Sequence, residues 1–176
     1  ILGMLPDQHE YKVMGMAPYN SSKDSEEVKK ILEEINWSNG VEFHFNENIY
    51  ELYETMRAKL EGYRFDQIAS GLQGFSEDLI TNWVREITKK YGFTKLIFSG
   101  GVAANIKALK VVKDKVDVTN VYAPPAPGDE SLGIGAAILG MNIQERSEVA
   151  FDSIYLGPKA DYQSDSQAEK KKLVEY

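Results

Sequence analysis

Twice in this chain a short apolar run passes through glycine into a run of small residues. Leu96-Ile97-Phe98 ends in Ser99-Gly100-Gly101 and continues as Val-Ala-Ala-Asn105. Val121-Tyr122 ends in a proline-rich stretch closing with Pro127-Gly128-Asp129, and after Glu130-Ser131 continues as Leu-Gly-Ile-Gly-Ala-Ala. A strand that turns through glycine into a helix, and does so again about 30 residues later, is the grammar of crossover α/β units. The surrounding periodicity predicts a long helix over Phe65–Tyr91, a strand over Lys95–Ser99, and a helix over Val102–Lys113. A strand over Val118–Ala123 and a helix from Asp129 to about Met141 follow. That order implies neighbouring parallel strands, hence an α/β fold with a sheet flanked by helices.

The long helix rests on Phe65, Ile68, Ala69, Leu72, Phe75, Leu79, Ile80, Trp83, Val84 and Ile87, a 3.6-residue spacing held over several turns. Gly71 and Gly74 are candidate breaks, and Gly92 is a natural stop. Upstream, Asp24 and Glu27 read as a capping pair. They precede a helix on Val28, Ile31, Leu32 and Ile35 that ends near Asn36. Asn39-Gly40 is a turn, Val41–Phe45 an alternating strand, and Ile49–Leu60 a helix stopped by Gly62. No repeat of fixed period is present.

Composition narrows the partners. The 176 residues carry a net charge of -7 and are 43% hydrophobic. They suit one domain or a piece of a larger one. No basic footprint for nucleic acid is visible, so no DNA partner is expected. The sequence lacks cysteine, which excludes disulfides, thiolate metal sites and a cysteine nucleophile; a reducing cytoplasm fits. No apolar run approaches the roughly 20 residues of a membrane span, and no signal peptide is visible, so no membrane partner is expected. The chain opens on Ile1 with the texture of a domain interior, and residues 160–176 are polar. Both features lead us to expect a piece of a longer protein with a linker or tail at its end.

Candidate site residues lie at the two junctions. Helix N-termini carry unpaired N–H groups and a partial positive charge, which suits phosphate. Glycine at Gly100 and Gly101 permits positive φ and close approach of a ligand. Asn105, one helical turn beyond Gly101, can donate and accept. Gly101-Val-Ala-Ala is also simply a tight turn into a closely packed helix. Asp129 stands where an N-cap would, worth about 1 kcal/mol, or is a carboxylate free to hold a metal. Gly133, Ala136, Ala137 and Gly140 form a small face, most simply structural. Glu10, Lys12 and Gly15 form a third candidate, a ligand-facing edge or an ordinary surface ion pair. His9 and His44 have no metal-ligand spacing and read as structural or surface residues. Trp37, Trp83, Phe65 and Phe75 read as core.

Taken together, three segments resemble one family. EYKVMGMAPY (10–19), LIFSGGVAANIKAL (96–109) and VYAPPAPGDESLGIGAAI (121–138) are similar, in order and spacing, to signatures of the O-carbamoyltransferases of the nodulation-protein and cephamycin-carbamoyltransferase type. Tyr155–Pro158 resembles the end of that family's N-terminal domain. The resemblance implies the second half of an actin-like ATPase (ribonuclease H-like) domain over residues 1–158, a mixed sheet flanked by helices, and a linker over 159–176 toward a further domain. It implies an ATP-dependent enzyme that activates carbamoyl phosphate as carbamoyl-adenylate and transfers the carbamoyl group to an acceptor hydroxyl. Gly100, Gly101 and Asn105, with Gly15 and Gly128, would hold the nucleotide. Glu10 and Lys12 would lie near its ribose or phosphates. Asp129 would ligate a divalent metal (Fe, Mn or Mg). The family's other metal ligands, a His-x-x-x-His pair, belong to the first half and have no counterpart here. Ser131 and Asn20 stand where the family has glycine. The implied partners are carbamoyl phosphate, a hydroxyl-bearing small molecule, and the missing first half and C-terminal domain. This piece alone is expected to have no turnover. A kinase of the same fold, a tRNA threonylcarbamoyl transferase-like enzyme, and a non-catalytic nucleotide-binding module are the alternatives.

Overall fold

A computed structural model describes residues 1–145 except Asp7, Ser21, Ser22, Glu47 and Ile49, with side chains as far as Met141. The Tyr155–Pro158 segment and the linker expected over 159–176 lie outside the described residues. The chain divides into two compact units, Ile1–Gly133 and Ile134–Tyr176.

The first unit is organised around one helix. In chain order it carries α1 (Glu10–Met16), a 3-10 turn (Ala17–Tyr19), α2 (Lys23–Ile35), β1 (Asn36–Asn39), β2 (Glu42–Phe45), α3 (Leu52–Lys59) and α4 (Phe65–Tyr91). Then come β3 (Lys95–Ile97), a 3-10 turn (Gly101–Ala104), α5 (Ile106–Lys115), β4 (Asn120–Tyr122), a third 3-10 turn (Asp129–Ser131) and the start of α6 (Leu132–Glu145).

Helix α4 has the predicted bounds and is unbroken. Its start is held by Gln67, whose Oε1 accepts from the Arg64 N–H at 2.7 Å. Its end is Gly92, at φ 72°, whose N–H reaches the Thr88 carbonyl at 2.8 Å. The glycines within it do not break it, and Gly71 serves a crossing. A Cβ built on Gly71 would stand 2.6 Å from the Val28 side chain and 2.7 Å from the Ser25 carbonyl oxygen, so α2 passes directly against the α4 backbone there. Two core clusters hang on this spine. Val28 and Leu32 of α2 join Leu60, Ile68 and Phe75 at its N-terminal half. Val84 joins Val112, Val116 and Val118 at its C-terminal half.

Sheet structure differs from the single mixed sheet expected. Among the described residues there are two separate two-stranded sheets. Strands β3 and β4 run parallel, Leu96 opposite Val121, as the junction grammar requires. Strands β1 and β2 form an antiparallel hairpin, Trp37 opposite His44, closed by Gly40-Val41 with Gly40 at φ 62°. Strand β1 was not expected: Asn-Trp-Ser-Asn lacks apolar alternation, and the preceding helical pattern runs up to Asn36. Asp24 is not an N-cap either. It lies within the first turn of α2, and its carboxylate accepts from Gln67 Nε2 of α4. Of the aromatics expected in the core, Phe75 is buried and Trp83 donates Nε1–H to the Val41 carbonyl at 3.0 Å. Phe65 is 69% exposed, and Trp37 stands on a strand, stacked on His44. An apolar groove of about 470 Å³ runs past Phe43, Trp83, Ile87, Ile97, Phe98 and Val102.

No helix among the described residues is long and apolar enough to cross a membrane.

Candidate functional site

The two glycine junctions meet. Strand β3 lies beside β4, and the pairing extends one residue past both: the Phe98 N–H reaches the Tyr122 carbonyl at 2.8 Å. Beyond it the Gly100 N–H donates to the Pro127 carbonyl at 2.7 Å, which joins one loop to the other. Gly100 holds φ 97° and ψ 166°, a region closed to residues with a Cβ, so its glycine is required by the turn itself. Both loops therefore sit at the carboxyl ends of parallel strands, the usual location of ligands in open α/β sheets.

Gly101 is different. It has no positive φ, it is exposed, and a Cβ there would meet nothing within 4 Å. Gly15, inside α1, is the same. Glycine in a helix interior costs roughly 1 kcal/mol, and no contact among the described residues accounts for it at Gly15. Gly133, at the head of α6, shares this openness. Gly128 has φ -84° and needs no special conformation; its N–H donates to Glu130 Oε1 at 3.3 Å. A carboxylate of the chain thus lies on the amide expected to meet phosphate.

Asn105 corrects one expectation. It is not one turn inside a helix, because the 3-10 turn Gly101–Ala104 intervenes and Asn105 is the N-cap of α5. Its Oδ1 accepts from the Ala108 N–H at 3.1 Å. The amide is also paired with buried Gln73 of α4: Asn105 Nδ2 donates to Gln73 Oε1 at 3.0 Å, and Gln73 Nε2 donates to Asn105 Oδ1 at 3.1 Å. Gln73 Nε2 further donates to Glu77 Oε1 at 2.9 Å, and Lys107 Nζ stands 3.8 Å from that same oxygen. Sequence reading missed Gln73 and Glu77, which sit within α4 in no motif. The signal available was a glutamine at a position where the helical stripe turns toward the glycine loop.

The edge expected at Glu10–Lys12 is helix α1. Glu10 lines a cavity of about 150 Å³ together with Asn105, Gln73, Met14 and Leu72. Lys12 and Gly15 do not line that cavity. Lys12 Nζ instead lies 5.8 Å from the Tyr11 ring centroid. His9 is structural, its Nδ1 accepting from the Leu5 N–H at 3.2 Å.

Asp129 is exposed, in the first position of its 3-10 turn; the N-cap is Gly128. Among the described residues there is no group of three or more His, Cys, Asp or Glu that could hold a metal ion. The described residues alone do not make the expected divalent-metal site.

The sequence comparisons agree with this arrangement of segments. The chain belongs to the carbamoyltransferase N-terminus family, whose model matches residues 1–138. It is 28% identical over 134 residues to nodulation protein NolO of Bradyrhizobium diazoefficiens, covering 74% of this chain and 24% of that protein. It is 24% identical over 171 residues to nodulation protein NolNO of Sinorhizobium fredii, covering 94% of this chain and 25% of that one. An uncharacterized protein of Methanocaldococcus jannaschii is 23% identical over 180 residues, covering 99% of this chain and 33% of its own length. The chain spans a third or less of these relatives.

Proposed function

We propose that residues 1–158 are the second half of the actin-like nucleotide-binding domain of an ATP-dependent O-carbamoyltransferase, with 159–176 leading to a further domain. In this reading the glycine loops receive the phosphates of ATP, and the Glu10–Asn105 cavity receives the ribose. The intact enzyme activates carbamoyl phosphate as carbamoyl-adenylate and passes the carbamoyl group to an acceptor hydroxyl. Lys12, whose Nζ stands 5.8 Å from the Tyr11 ring centroid, is assigned to the nucleotide by the family resemblance alone.

The observation that carries the reading is Gly101, together with the family match. It is exposed beyond the carboxyl end of a parallel strand, and nothing among the described residues demands glycine there. A phosphate brought against bare N–H groups does demand it. Glu130 leaves the Gly128 N–H when the phosphate arrives, since both are anions competing for one donor. Asp129 contributes to a divalent metal only as one ligand of a set completed by residues from outside those described, and no chemical step is assigned to that metal.

The test is ATP-dependent carbamoyl transfer from carbamoyl phosphate by the intact protein. Carbamoyl transfer with pyrophosphate release is expected, and Gly101→Val should lower it at least ~10-fold while leaving the thermal midpoint unchanged, since one hydrogen bond to a charged group is worth about 1.5–3 kcal/mol. Absence of ATP-dependent transfer from the intact protein overturns the assignment.

A further inference from the structure

Gln73 is only 5% exposed in the middle of α4, and its amide has both ends occupied. At one end stands Glu77, a carboxylate, which only accepts hydrogen bonds. The Gln73 nitrogen must therefore face it. Flipping the amide would set the Gln73 oxygen against the Glu77 carboxylate, at the 2.9 Å separation now bridged by a proton. With Gln73 so directed, its Oε1 must accept from Asn105 and its second N–H must donate to Asn105 Oδ1. The far end agrees independently, because the Ala108 N–H also requires Asn105 Oδ1 to face it. Both amides are thus held in a single orientation, and the protons can be counted. Asn105 Nδ2 carries two. Gln73 takes one, and no other acceptor among the described residues takes the second. Asn105, Gln73 and Glu10 all line the cavity of about 150 Å³, whose wall is otherwise mostly apolar, with Val13, Met14 and Leu72.

We propose that Gln73, directed by Glu77, is a positioning residue. It fixes the Asn105 amide so that one N–H is offered to a ligand hydroxyl that also donates to Glu10, as a ribose hydroxyl does. This rests on the nucleotide reading of the glycine loops. A hydroxyl is a group that can bond to both, since it accepts from an amide and donates to a carboxylate, which has room for several donors. Burial of an amide that ended unpaired would be costly, so the Gln73–Asn105 pair also keeps the cavity tolerable without ligand.

The experiment is proton exchange at the Asn105 side chain, read by NMR on the ¹⁵N-labelled intact protein, followed by titration of that protein with ATP. One Asn105 Nδ2 proton should exchange at least ~10-fold more slowly than the other, as expected for one hydrogen-bonded and one free donor. Gln73→Met should abolish that difference while the backbone spectrum persists. Glu77→Gln, nearly the same shape without the direction, should reduce it. Should Gln73→Met fail to fold, Glu77→Gln carries the test. With ATP, the faster proton should become protected, and Gln73→Met should weaken ATP binding about tenfold. Asn105→Ala should do the same, and the double variant should be no worse. An exchange pattern unchanged in the variants overturns the positioning role. A lost pattern with unchanged ATP affinity overturns its link to the ribose. Wild-type protein that shows the pattern but binds no ATP sinks the nucleotide reading, while the alignment of Asn105 by Gln73 stands.

Discussion

At the scale of single residues, glycines of similar appearance do opposite jobs. Gly71 and Gly74 lie one turn apart on α4, and both looked like breaks. A Cβ on Gly71 would collide with Val28 and with the Ser25 backbone, whereas one on Gly74 would meet only Lys29 Cδ at 3.6 Å, an ordinary contact. Gly71→Ala should therefore destabilise by about 3 kcal/mol, since α2 must move as a body to admit the methyl. Gly74→Ala should stabilise by about 1 kcal/mol through helix propensity alone. Urea unfolding of the two variants checks both signs, and equal effects would remove the crossing from the account. None of this is legible in sequence. The 3.6-residue period identified α4 as one helix because Phe75, Leu79 and Val84 keep their stripe. It could not say which glycine faces the neighbour, because that depends on where α2 lies.

At the scale of elements, the seam between α2 and α4 is polar as well as apolar. Lys29 of α2 is hydrogen-bonded to Asp78 of α4. That bond, together with the charges of Asp78, Glu33 and Glu26, holds the Lys29 ammonium above the usual lysine range despite desolvation. A lysine raised on folding contributes stability that is fully present below its unfolded value of about 10.4, and is lost as pH climbs through the raised folded value. The urea midpoint of the wild type should thus fall toward that of Lys29→Met only as pH passes above about 10.4, and a constant gap would overturn the pairing. Asp66 behaves in the opposite sense. Its hydrogen bond from Asn20, at 3.1 Å, and its pairing with Arg64 hold it below the usual carboxylate range, so its contribution is lost as pH falls. Elements with strong local signals were readable from the sequence: α4, its Gly92 stop, and the β3–α5–β4 order. Those without them were not. Strand β1 has one apolar residue in four, and α1, read in sequence as a ligand-facing edge or a surface ion pair, has only 7 residues, too few to display a helical period.

At the scale of the molecule, β3 and β4 form a two-stranded parallel sheet, an arrangement ordinarily covered on both faces. Here Ile97 is 78% exposed and Val102 69%, beside the apolar groove of about 470 Å³. Uncovered apolar surface of this kind drives association. The chain should self-associate at high concentration in light scattering, and Ile97→Lys should shift it toward monomer. A wild-type chain that stays monomeric at every concentration contradicts this. The candidate site shows the same division between local and distant information as the fold. Gly100, Gly101 and Gly128 were found because a turn advertises its glycines locally. Gln73, and with it Glu77, was missed because the Gln73 partner Asn105 lies about 30 residues away in sequence and an amide in a helix advertises nothing. The short link from Gly100 to Pro127 has one more consequence. It locks the lengths of two distant loops to each other. Lengthening either by a single residue shifts one partner of the Gly100–Pro127 bond away from the other, so the two segments behave as a matched pair in which an insertion in one disturbs both.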